Sequence, residues 1–123
     1  MFREIKLKLA SGEEKAFKFL ATGTTAYRYH QIFKDDLMKL VTRMTGSTDN
    51  IDYSVGDKLA YIMNAQAEGK DMKSLNMDTF LAWVDQFDSN EIFSNIQEIF
   101  SIYLGSKLTT AVLKKEGEQP NAS

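Results

Sequence analysis

The chain has 123 residues and no cysteine, a length at which one domain buries roughly two-thirds of its unfolded surface and a composition that excludes a disulfide framework. Hydrophobic residues make up 43% and charged residues 26%, which excludes wholesale disorder, and a formal net charge of −2 offers no basic footprint for nucleic acid. The charge is uneven: residues 1–20 carry five Lys/Arg against three Glu, residues 21–105 seven against twelve acidic residues, and residues 106–123 three against two.

In Ile5-Lys6-Leu7-Lys8-Leu9 apolar and charged residues alternate, the period of a half-buried strand. Ala10-Ser11-Gly12-Glu13-Glu14 supplies turn chemistry, and Lys15-Ala16-Phe17-Lys18-Phe19 alternates again, so a hairpin over residues 2–20 is predicted with Ile5, Leu7, Leu9, Phe17 and Phe19 inward. Two strands alone are marginal in water, so this face must lie on helices or pair with another chain.

After Thr22-Gly23-Thr24-Thr25 the period changes. Tyr29, Ile32, Phe33, Leu37, Leu40, Val41 and Met44 recur at helical spacing, which predicts one helix from Thr25 to Met44, capped by Thr22 or Thr24 and closed by Gly46. Gly46 to Asp52 reads as a loop. A second helix is expected from Ser54 to Glu68 with Val55, Leu59, Ile62 and Met63 buried, ending at Gly69. A third follows Ser74 with Met77, Phe80, Leu81, Val84 and Phe87 on one face. Asp88-Ser89-Asn90-Glu91 caps a fourth that carries Ile92, Phe93, Ile96, Ile99, Phe100 and Tyr103 and ends at Gly105. The expected fold is therefore α+β and predominantly α-helical: one domain over residues 1–105, with a hairpin at 2–20 and a helical body at 24–105, followed by a disordered tail at 106–123.

Catalytic chemistry is not expected. His30 lies five and six residues from Asp35 and Asp36, a spacing that scatters them around a helix, and no nucleophile accompanies them. Asp49, Asp52 and Asp57 lack the turn glycine and closing glutamate of a calcium loop, and the glycines form neither a dinucleotide fingerprint nor a phosphate loop. No cofactor or metal is expected. No apolar run approaches the roughly 20 residues of a spanning helix, and Met1-Phe2-Arg3-Glu4 lacks the apolar core of a secretory signal; the expectation is a soluble intracellular protein that engages neither membrane nor nucleic acid. The feature that points outward is an aromatic and aliphatic surplus at or beyond the stripe margins: Phe2, Tyr27, Tyr53, Tyr61, Trp83 and Ile102. Aromatics dominate the energetics of protein contacts, and Tyr61, Trp83 and Tyr103 are the candidate partner-binding residues.

The order of parts is a strand hairpin, TGTTAYRYHQIFKDDLMKL, DKLAYIMNAQAEG, FLAWVDQFD, then EIFSNIQEIFSIYLGSKL and a polar tail. Over about residues 2–115 this resembles the tail assembly chaperones of long-tailed bacteriophages and prophages of Gram-positive hosts. The resemblance implies a non-enzymatic protein of the host cytoplasm, absent from the mature virion, that keeps tape measure protein soluble and recruits tail tube protein. An acidic body beside basic ends also permits self-association, which would multiply contacts along an extended client. The resemblance further implies a second, longer product made by ribosomal frameshifting, for which Lys114-Lys115-Glu116 is compatible with an A-rich slippery run. The readings that compete with it are a structural tail or connector subunit and a small nucleic-acid-binding regulator.

Overall fold

The computed structural model describes residues 1–40 and 53–105. The expected turn at Gly46–Asp52, the apolar positions Val41 and Met44 and the expected tail at 106–123 lie outside the described residues.

The alternation at the N-terminus folds as predicted. Strands β1 (Phe2–Lys8) and β2 (Glu14–Leu20) pair antiparallel in the register Phe2↔Leu20 to Lys8↔Glu14. Their turn closes through Leu9 N–H to Glu13 O and Gly12 N–H to Leu9 O, with Gly12 at φ 93° where a side chain would be strained. Ile5, Leu7, Phe17 and Phe19 are buried on one face. Glu4↔Lys18 and Lys8↔Glu14 place opposite charges across the other.

Helix α1 runs from Thr25 to Phe33 and stops there. The continuous helix expected to Met44 is broken because Lys34 takes the left-handed conformation at φ 63°, and Asp36 restarts helical backbone at residues 37–40 by accepting Lys39 N–H on its carboxylate. Leu40 is half-buried at the core margin, whereas Leu37 is fully inside.

Helix α2 (Tyr53–Ala67) is the central element. Val55, Gly56, Leu59 to Ala65 are buried in succession, so this helix is enclosed on nearly all sides, as an apolar helix interior demands. It packs against β2, α1 and the later helices. It ends in the glycine motif expected: Gly69 at φ 71°, with Lys70 N–H to Ala65 O and Gly69 N–H to Gln66 O.

A 3-10 turn (Met72–Ser74) leads to α3 (Met77–Asp85), whose N-terminus is closed by a reciprocal box between Asn76 and Thr79. The face expected to be buried is rotated: Phe80, Trp83 and Phe87 point inward, while Met77 and Leu81 are exposed, Leu81 at 56%. The last predicted helix is two: α4 (Glu91–Ser94) and α5 (Ile96–Leu104), separated at Asn95, with Ile92, Ile96, Ile99 and Ile102 inward. Ile96 reaches Gly56 so closely that a β-carbon there would sit 2.8 Å from its Cδ1.

One chain of rings ties the parts together. Tyr29 meets Phe33 (centroids 5.2 Å), Phe33 meets Phe80 (5.1 Å), Phe80 meets Tyr61 (5.5 Å), Tyr61 meets Trp83 (5.6 Å), Trp83 meets Phe87 (4.8 Å) and Phe87 meets Phe17 of the hairpin (4.9 Å). Such tilted pairs add to the burial energy of each ring. Among the described residues no helix is long and apolar enough to cross a membrane.

Candidate partner-binding groove

The break at Lys34 places α1 and residues 37–40 as two walls, and the end of α5 closes a third side. Between them lies a groove of about 630 Å³ lined by Thr22, Gly23, Ala26, Tyr27, His30, Asp36, Leu37, Met38 and Tyr103. Its walls are mainly apolar, and two of the exposed large apolar residues stand on it: Tyr27, 76% exposed, and Met38.

Local chemistry fixes these walls. At the α1 entrance Thr22 N–H donates to Thr25 Oγ1 (2.8 Å), the buried Thr25 hydroxyl donates to Gln66 Oε1 (2.8 Å), and Gln66 Nε2 donates back to Thr22 Oγ1 (2.9 Å), so the loop is latched to α2. At the other end of α1 Lys34 N–H donates to His30 O (2.8 Å), and the His30 ring Nδ1 lies 3.3 Å from Asp35 O. His30 therefore serves the break between helical segments. Tyr103 O–H reaches Met38 Sδ at 2.9 Å. Burial, and secondly the negative charge of Asp36, push the Tyr103 phenol above its ordinary pKa, so it stays a neutral donor.

The three residues singled out for partner binding separate. Tyr103 belongs to the groove. Tyr61 is 3% exposed and its hydroxyl pairs with Thr79 Oγ1 at 2.6 Å; Trp83 is 8% exposed and its indole N–H donates to Asn64 Oδ1 at 3.0 Å. Both stand in the core of the folded chain, where they hold α2 to α3. Of the wider surplus, Ile102 is buried as well, whereas Phe2 and Tyr27 are exposed. Met38 was missed, although its place beside Leu37 and off the Leu37–Leu40 stripe was visible in the sequence.

A second cleft, about 240 Å³, is lined by Asp57, Asp85, Asp88 and Glu91 together with Val84, Phe87 and Ile92. Burial raises the pKa of Asp57. Among the described residues no group of three or more His, Asp or Glu side chains is placed to hold a metal ion. What the groove offers is apolar contact with a few polar groups at its rim. No protein-family model, curated protein or solved structure matches the chain.

Proposed function

We propose that this chain is a tail assembly chaperone of the long-tailed bacteriophage type, which acts in the host cytoplasm, binds tape measure protein, keeps it soluble and helps recruit tail tube subunits. The observation that carries the reading is the groove walled by Tyr27, Met38 and Tyr103. An amphipathic client helix docks in such a groove through its apolar face. Exposed tyrosine supplies contact area at small entropic cost, and methionine adapts to varied side chains. A chaperone has to accept successive segments of a long helical client, and these wall residues suit that task. The resemblance in the order and character of the segments supplies the identity of the client.

Co-expression with the tape measure protein of the same genome tests the proposal. The client is expected to become soluble and to be retained on the tagged chain. Tyr27→Ala should lower that retention roughly tenfold, the loss of one strong aromatic contact, while leaving the melting temperature unchanged because the side chain is exposed. A client that stays insoluble and unbound, beside a chain that assembles alone into rings or tubes, would replace this reading with a structural subunit.

A further inference from the structure

The hairpin carries an open edge. Ala21 N–H donates to Met1 O (2.9 Å) and the Met1 amine donates to Ala21 O (2.6 Å), which makes this a hydrogen-bonded pair of the ladder. Alternation along an antiparallel pair then turns the backbone groups of odd residues of β1 toward β2 and those of even residues away from it. Lys8 obeys this: its N–H donates to Glu91 Oε2 (2.9 Å) and its carbonyl accepts Asp88 N–H (2.9 Å), beside a bridge between Leu9 and Phe87. The connection from α3 to α4 thus covers the edge at Lys8. Among the described residues nothing meets the outward N–H and C=O of Phe2, Glu4 and Lys6. All three side chains are exposed, Phe2 at 55%.

We infer that this run pairs with the same run of a second copy, antiparallel about a two-fold axis at Glu4. The argument is one of fit. The open stretch ends where Asp88 and Glu91 occupy Lys8, so the added strand must be short, and β1 of another copy brings an open stretch of equal length and opposite direction. Phe2 then faces Lys6 of the copy, Glu4 faces Glu4, and about six backbone bonds close both edges at once. A foreign strand would close only one. Two hairpins become a four-stranded sheet, inside the size range in which sheets are stable. Phe2 lies against the stem and ammonium of the opposite Lys6. Charge alone would favour a register with Glu4 opposite Lys6, but that register drives Phe2 of the copy into the backbone positions already taken by Asp88 and Glu91. The facing Glu4 pair is a repulsion that Lys18, across the ladder from Glu4 in each hairpin, partly offsets. This inference rests on hairpin geometry and is independent of the client.

Sedimentation velocity from micromolar to millimolar concentration tests it. The chain is expected to pass from monomer to dimer. Glu4→Gln, which removes the facing charges, should tighten the dimer roughly two- to fivefold. Glu4→Pro removes an outward N–H and no bond within the hairpin, so it should leave a monomer with an unchanged circular dichroism spectrum. A wild-type chain that stays monomeric throughout overturns the inference, and so does a folded Glu4→Pro dimer of undiminished affinity. If Glu4→Pro instead abolishes client retention by a monomeric chain, the edge belongs to the client and the inference falls. Should Glu4→Pro not fold, amide exchange in the wild type decides: the Glu4 and Lys6 amides must slow with concentration while that of Ile5 does not, and concentration-independent exchange at Glu4 is fatal.

Discussion

Asn64 is a polar residue buried in the core, and its amide is used from both ends. Its Nδ2 donates to Lys18 O at 2.9 Å and its Oδ1 accepts the Trp83 indole N–H at 3.0 Å, so one residue joins β2, α2 and α3. Asn64→Leu would leave a buried N–H and a carbonyl unpaired, a loss of about 2–4 kcal/mol that urea denaturation should register. Asp57 gives a pH signature. Burial holds its folded pKa above the unfolded value, so folding disfavours the charged form; the cost is absent in acid and appears as pH rises through the folded pKa. Asp57→Asn should therefore raise the melting temperature at neutral pH, with the gain vanishing below roughly pH 3–4. A gain that is constant across pH would remove burial of the charge as its cause. At this scale the sequence misled about Trp83. It stands off the stripe of Met77, Leu81 and Val84, but an indole needs an acceptor, and Asn64 in the middle of an apolar helix was the available sign of one.

Helices are legible where the apolar period and the punctuation agree. Gly69 closes α2 where its sequence position suggested, and the box of Asn76 and Thr79 opens α3. The break at Lys34 is different. Three residues intervene between Phe33 and Leu37, so the apolar spacing stays in phase across the gap and conceals it. The groove depends on that gap, and for that reason the groove could not be read from periodicity although Tyr27 could be read as surplus. The left-handed Lys34 yields a test that separates the two geometries. Lys34→Gly should stabilise the chain by about 0.5–1 kcal/mol, because glycine adopts φ near 63° without strain. In a continuous helix the same change would destabilise by about 1 kcal/mol. Thermal melts of the two proteins decide the sign.

At the scale of the whole molecule, the described residues form a hairpin and a set of helices threaded on one run of aromatic rings, from Tyr29 in α1 to Phe17 in β2. The run passes through α1, α2, α3 and β2, so none of these elements has a core of its own. Loss of Trp83 fluorescence and loss of far-ultraviolet circular dichroism are expected to coincide in denaturant, as for a two-state domain. An earlier circular dichroism transition would mean that hairpin or helices part from the rings independently. The architecture, a strand pair on a helical body, was legible as a change of period. The way the parts interlock was not, because it depends on residues far apart in sequence.

The bond from Lys8 N–H to Glu91 spans 83 positions, and this separation has a kinetic consequence. The strands are made first, while the segment that fastens their turn end is made near the close of the described chain. At ribosomal synthesis rates the interval is roughly 4–17 s, far longer than the microseconds in which a hairpin forms and dissolves. The hairpin must therefore open and close many times on the ribosome before Phe87, Asp88 and Glu91 arrive to hold it, and a slow-codon stretch upstream of Phe87 would lengthen the time during which its apolar face lies exposed.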